Sequence, residues 1–132
     1  MSRVCIFFAP GLEEIEGLTV VDLLRRADIP VRIVSISDTL EVTGAHGIHI
    51  TADACFADTD FSDTEMLVLP GGAPGTCNLN ACEPLKALLK DFYDKGKYIG
   101  AICAAPMVLG HQEGNLLSGL RKGLDRRCPC NR

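Results

Sequence analysis

Apolar positions along this chain follow two alternating rhythms. Val4-Cys5-Ile6-Phe7-Phe8 is a continuous apolar run that suits a strand covered on both faces, and Ala9-Pro10-Gly11 breaks it. From Glu13 to Ala27 the apolar residues Ile15, Leu18, Val21 and Leu24 recur at helical spacing. The early carboxylates of that stretch suit a helix N-terminus, and Arg25 and Arg26 suit its C-terminal end. Val31 to Ile36 reads as a second strand, so the chain opens with a β-α-β unit whose crossover is right-handed. Leu40 to Thr43 and Ile48 to Thr51 read as a hairpin around Gly44 and Gly47, and Asp58 to Asp63 as an acidic loop. Met66 to Leu69 is a further buried strand, ended by Pro70-Gly71-Gly72-Ala73-Pro74-Gly75. Glu83 to Lys95 predicts an amphipathic helix with Leu85, Leu88, Leu89 and Phe92 on one face and Gly96 as its C-cap. A strand from Tyr98 to Ile102 follows, then Cys103, then a helix from about Ala104 to Leu109.

Strands alternating with helices predict an α/β sandwich on a mostly parallel sheet. Sites in such sheets form at the C-terminal ends of the strands. Three loops share that edge: the one after Phe8 that leads to Glu13 and Glu16, the Pro70-Gly71-Gly72 loop, and the Cys103 turn.

Composition narrows the setting without changing this picture. The 132 residues suit one domain, and 47% hydrophobic with 23% charged residues is ordinary for a soluble globular chain. No apolar run reaches the length of a membrane span, and no basic segment leads into an apolar stretch with a cleavage site. The expectation is a cytoplasmic protein. Seven scattered cysteines, an odd count, argue there for free thiols rather than a disulfide framework. From Arg121 onward, five basic residues stand against Asp125 alone, a local +4 that leaves −8 on the rest of a chain of net charge −4. An acidic body gives no support to nucleic-acid binding.

The candidate chemistry centres on Ile99-Gly100-Ala101-Ile102-Cys103-Ala104-Ala105-Pro106. A cysteine where a buried strand turns into a helix meets unpaired N–H groups and the positive end of the helix dipole. That environment lowers a thiol pKa and makes a nucleophile. The same residues fit a small buried cysteine, since free cysteine is among the most buried residue types.

Three motifs together carry a family likeness. Pro10-Gly11-Leu12-Glu13-Glu14-Ile15-Glu16, Val68-Leu69-Pro70-Gly71-Gly72 and Ala101-Ile102-Cys103-Ala104-Ala105-Pro106, in this order and at these intervals, resemble the DJ-1/ThiJ/PfpI family, in particular its short deglycase and ThiJ-like branch. The resemblance runs from Arg3 to about Gly110. It implies a flavodoxin-like sandwich of the class I glutamine amidotransferase kind, usually a homodimer. It implies that Cys103 is the reactive cysteine on a nucleophile elbow, and that Glu16 is its partner acid, protonated and hydrogen-bonded to the thiolate. A neutral carboxyl there would donate a charge-assisted hydrogen bond to S⁻. Glu13 and Glu14 read as a solvated first helical turn. Gly71 and Gly72 fit an oxyanion role, because backbone without side chains approaches a substrate closely, and the Ala104 N–H would be a second donor. An ordinary turn after a strand is the other reading of those glycines.

Family members continue past the elbow with further strands, a closing helix and often a histidine. Here residues 1–118 read as an incomplete domain of that kind and 119–132 as an aberrant basic tail, disordered or from a shifted frame, so the C-terminal part of the fold is expected to be missing. His111 reads as a helix-end residue, and His46 and His49 carry no assigned chemistry. Cys128-Pro129-Cys130 offers too few ligands for a metal, and Cys77 and Cys82 are too sparse, so no metal and no cofactor are expected.

The expected function is that of a cysteine-dependent glyoxalase or protein deglycase, acting on a small reactive carbonyl such as methylglyoxal or on a glycated protein through a hemithioacetal on Cys103. The alternatives are a redox-sensing or chaperone-like protein that works through oxidation of Cys103, and an inactive fragment of such a protein. The expected partners are the substrate and a second copy of the chain, with neither nucleic acid nor membrane.

Overall fold

A computed structural model of the chain describes residues 3–110. In chain order the elements are β1 (Val4–Phe8), α1 (Glu14–Arg26), β2 (Val31–Ser35), β3 (Glu41–Thr43), β4 (His49–Thr51), β5 (Ala54–Cys55), β6 (Met66–Leu69), α2 (Gly75–Ala81), α3 (Glu83–Asp94), β7 (Tyr98–Ala101) and α4 (Pro106–Gly110).

The uninterrupted apolar run of β1 makes it the middle of the sheet, with all five residues buried. The strand order is β5-β2-β1-β6-β7, and every pairing is parallel. Alternate β1 side chains enter different cores, as the two-residue period of a strand requires. Cys5 and Phe7 pack with Leu79, Leu85, Leu89, Phe92 and Val108, from α2, α3 and α4. Val4, Ile6 and Phe8 pack with Leu12, Val21 and Val42 from the α1 side. The fold is thus the expected flavodoxin-like α/β sandwich.

The hairpin forms as expected, antiparallel from Glu41↔Thr51 to Thr43↔His49, and stands apart from the main sheet with Val42 as its buried anchor. Helix α3 ends as Gly96 suggests. Gly96 takes φ +69°, its N–H donates to the Tyr93 carbonyl, and the Lys97 N–H reaches back to Phe92, which is a Schellman cap.

Several expectations give way. The buried face of α1 is Glu14, Gly17 and Val21, whereas Ile15 is 74% exposed and Leu18 37%. The physical reason is close approach. A Cβ on Gly17 would lie 2.8 Å from Leu12 Cδ1 and 3.0 Å from the Phe8 ring, so only glycine lets the helix seat on β1 along that face. The short edge strand β5, which pairs Val34 with Ala54 and Ser35 with Cys55, and the helix α2 have no periodic signal and go unread in the sequence. Cys5, Cys55, Cys82 and Cys103 are free thiols, but Cys77 is disulfide-bonded. Counting cysteines does not say which of them the fold brings within bonding reach. His111 and the 119–132 tail lie outside the described residues. No helix among the described residues is long and apolar enough to cross a membrane.

Candidate active site

The chain leaves β1 for β2 on one side and returns to β6 on the other, so the loops after β1 and β6 meet at a switch point of the parallel sheet, with the loop after β7 next to them. Cys103 stands on the last of these loops. The Ile102 N–H still donates to Leu69 O at 3.1 Å, in line with the β6–β7 pairing. The chain then turns sharply, with the Ala105 N–H donating to Ile102 O at 3.0 Å. At the crest Cys103 takes φ +59°, a left-handed backbone that disfavours any residue with a Cβ by about 1–2 kcal/mol. The turn lifts the thiol into an exposed position, which settles the choice between a buried and an accessible cysteine in favour of the latter. Ala105 is fully buried beneath it, which requires a small residue there.

Helix α4 begins only at Pro106, so Cys103 sits three residues ahead of the helix rather than at its first turn.

Gly71 joins the other two loops. Its N–H donates to Glu16 Oε2 at 2.8 Å. A Cβ at Gly71 would lie 2.6 Å from Glu16 Oε2 and 2.8 Å from Cys103 Cβ, so glycine alone allows the acid and the cysteine to flank this backbone. Gly72 has φ +103°, and a Cβ on it would run into the Glu13 nitrogen and the Leu12 carbonyl carbon. The Glu13 N–H donates to Gly71 O at 3.0 Å, and the Gly75 N–H to Gly11 O at 3.0 Å, which stitches the β1–α1 and β6–α2 loops together. The structure therefore brings Cys103, Glu16, Gly71, Gly72 and Ala104 to one sheet edge. The Gly71 N–H is engaged with Glu16.

The electrostatics run against the expected lowered thiol. The hydrogen bond to Glu16 pushes the Cys103 thiol above its ordinary value of 9.0, and partial burial and the charges of Glu16 and Glu13 push the same way. Only the Ala104 N–H pulls it down. The reason is geometric: with α4 starting late, one backbone donor faces the sulfur, and the Glu16 side chain stands beside it.

The reading of Glu13 and Glu14 as a solvated pair holds for neither. Glu13 is half-buried, and Glu14 is 3% exposed. Glu14 Oε2 accepts from the backbone N–H of His46 at 2.9 Å and of Ile48 at 3.4 Å. Its Oε1 lies 2.9 Å from His46 Nδ1. Burial pulls the Glu14 carboxyl upward, but these donors outweigh it and hold the group at about 2, against an ordinary 4.5. Glu14 raises His46 in return. Sequence reasoning missed this contact because 32 residues separate its ends; Gly44 and Gly47 on either side of His46 mark a turn but name no partner. Donor atoms of Glu13, Glu14 and His46 all lie within 4.8 Å of one another, yet both Glu14 oxygens are already taken up by hydrogen bonds. A shallow groove lined by Ser62 to Glu65 and Gly96 to Tyr98 sits at the opposite sheet edge, before β6 and β7, away from these groups.

The α/β sandwich thus carries a cysteine lifted on a left-handed turn, an acid near it and a Gly-Gly loop between them. Residues 2–120 match the DJ-1/PfpI family, and the chain belongs to it. It is 32% identical over 108 residues to a deglycase of Thermococcus kodakarensis, covering 81% of this chain and 63% of that protein. It is 28% identical over 115 residues to the glutathione-independent glyoxalase DJ-1 of Schizosaccharomyces pombe, covering 81% of this chain and 60% of that one. The solved structure of oxidized Toxoplasma gondii DJ-1 superposes with a TM-score of 0.83 at 34% identity, covering 90% of this chain and 64% of that one. The chain spans from 24% to 63% of the length of curated relatives it matches.

Proposed function

We propose that this chain is a cofactor-independent, cysteine-dependent glyoxalase or deglycase acting on methylglyoxal or on glycated adducts. The observation that carries the reading is the Glu16–Gly71–Cys103 cluster: an exposed thiol beside a carboxyl group that a backbone N–H fixes at 2.8 Å, both flanking the same glycine. The names of the two enzyme relatives support the substrate class.

The raised thiol pKa shapes the mechanism. With the thiol shifted upward, the proton leaves as the sulfur attacks. The Cys103 sulfur bonds to the aldehyde carbon and its proton passes to the Glu16 carboxylate, so the negative charge of the pair moves to the carbonyl oxygen. The Gly72 and Ala104 N–H groups hold the developing oxyanion. Glu16 returns its proton to that oxygen to complete the hemithioacetal. The same carboxylate then moves a proton from the aldehyde carbon to the neighbouring ketone carbon through an enediol, which leaves a lactoyl thioester. Water hydrolyses that thioester to lactate and restores the thiol. With a glycated adduct, water releases the repaired amine instead. Gly71 serves by orienting Glu16.

Turnover of methylglyoxal by the purified chain, with Cys103→Ser as control, tests this reading. Activity that survives the substitution removes Cys103 from the mechanism. The exposure of the same sulfur favours a second reading, a redox sensor in which Cys103 is oxidised to sulfinic acid. Intact-mass and peptide analysis after mild peroxide tests that one, and first oxidation at another cysteine defeats it. The exposed Ile15 and Leu18, on one face of α1, supply the apolar surface for the homodimer that the family likeness implies. Sedimentation of Ile15→Glu against wild type measures it.

A further inference from the structure

We propose that His46 and Glu14 form a positioning pair, through which the β3–β4 hairpin sets how Glu16 meets Cys103. The inference rests on the reading of Glu16 as the acid of the site.

The first turn of α1 has no cap of its own. Glu13 is the N-cap residue and makes no side-chain capping bond. Something else must fix the rotation of that turn, and therefore the direction of Glu16. Glu14 and Glu16 are about 200° apart around the axis at 3.6 residues per turn, so one can be gripped while the other works. Glu14 is gripped by three contacts on the hairpin turn: His46 N–H, Ile48 N–H and His46 Nδ1. Gly44 makes room for it, since a Cβ there would strike Glu14 Cδ, Cγ and Oε2. Two backbone bonds brace the junction, Gly11 N–H to Thr43 O at 2.9 Å and Ala45 N–H to Leu12 O at 2.8 Å.

His46 can also respond to pH. Its side chain is 66% exposed and so exchanges protons freely, while its partner is buried. A carboxylate only accepts, so His46 Nδ1 carries the hydrogen it shares with Glu14. Among the described residues, the charged groups facing the ring are Glu14 at 2.9 Å and Glu13 at 3.8 Å, both from the start of α1. On its own hairpin Glu41 is occupied with His49 at 3.5 Å. Protonated, His46 offsets a cluster of carboxylates two residues from Glu16; neutral, it leaves them uncompensated.

The test is the rate of Cys103 alkylation by iodoacetamide against pH, with the modified peptide identified by mass. Wild type is expected to show, besides the inflection of the thiol itself, a second one above 6.5, the ordinary histidine value that Glu14 raises. His46→Ala should erase the second inflection and change the rate by about 5-fold or more, the lower end of ordinary coupling between linked groups. His46→Gln, whose amide can still donate to Glu14, should erase the inflection with a smaller rate change. A folded His46→Ala protein with the wild-type profile and rate overturns the proposal. Because His46 is exposed, neither variant removes a packed side chain, and both are expected to fold. Alkylation needs no turnover: a Cys103→Ser protein that still consumes methylglyoxal defeats the catalytic reading and leaves this measurement standing.

Discussion

Glu14 and Glu16 leave the same turn of one helix and enter two different kinds of region. Glu14 points into the hairpin and, among the described residues, its carboxylate bonds only to donors: two backbone N–H groups and an imidazole. Nothing there can usefully accept a proton from it, and the group is held ionised down to about pH 2. Glu16 points at the sheet edge and meets one fixed donor, the Gly71 N–H, and one group that can part with its proton, the Cys103 thiol. Burial therefore does not separate the acid gripped by the hairpin from the one proposed to react, since the more buried acid is the gripped one. The separation lies in whether a neighbour can exchange a proton. Gly44 and Gly71 play matching parts, each leaving out the one carbon that would push its acid away.

The sharpest way to break this contrast is to neutralise each acid in turn. Glu16→Gln should lower methylglyoxal turnover by about 10²- to 10⁴-fold, the usual size of a general acid–base contribution, with a thermal melt close to wild type. Glu14→Gln should do the reverse in kind, with a lowered melt and a comparatively small loss of turnover per folded molecule. If both variants lose turnover equally and melt alike, the two acids do not have separate roles.

The glycines sharpen it next. Gly71→Ala places a carbon against Glu16 Oε2 and Cys103 Cβ, and Gly44→Ala places one against the Glu14 carboxyl. Each should destabilise by about 1–3 kcal/mol, the range for overfilling a packed site, measured by urea unfolding. Only Gly71→Ala should also abolish turnover in the protein that remains folded.

A subtler expectation concerns the thiol. Because the Glu16 carboxylate is the first cause of the raised Cys103 value, Glu16→Gln should move the alkylation midpoint of Cys103 downward while turnover falls. A midpoint that rises in this variant would mean that Glu16 stabilises the thiolate rather than the thiol.

Local signals made most of the fold legible. The run Val4 to Phe8 gave the central strand residue for residue, and Gly96 marked the end of α3, because both depend on neighbours in sequence. The face of α1 was misread because spacing weighs Ile15 and Leu18 by hydrophobicity, whereas seating is decided by the missing side chain of Gly17 against Phe8. Strand β5 and helix α2 were invisible for a related reason: two residues and seven are held by tertiary pairing, not by period. The motifs pointed to Cys103, Glu16, Gly71, Gly72 and Ala104, which the fold brings to one sheet edge, but not to the direction in which the thiol is shifted. That direction depends on where α4 begins, and Pro106 places it later than the apolar pattern suggested. Glu14 reads as a solvated acid in the sequence because its partner lies in the hairpin, 32 residues away.

The smallest expected effect is also the one whose sign is best constrained. Glu14 is depressed from 4.5 to about 2, so its contribution to stability is present above 4.5 and is lost as pH falls toward 2. His46 is raised above 6.5, so its contribution is complete below 6.5 and is lost as pH climbs through the folded-state value. The hairpin contact is therefore firmest between about pH 4.5 and 6.5. Melting temperature followed across pH 2.5 to 9, a range of roughly ordinary carboxylate and imidazole titration, should fall off on both sides of that window. In Glu14→Gln both shoulders should flatten, since the shift of His46 depends on Glu14. In His46→Gln the alkaline shoulder should vanish, and the acid one should persist in part, because the backbone N–H groups of residues 46 and 48 still hold the carboxylate. An alkaline shoulder unaltered in His46→Gln would assign that loss of stability to some other group, and would leave Glu14 gripped by backbone alone.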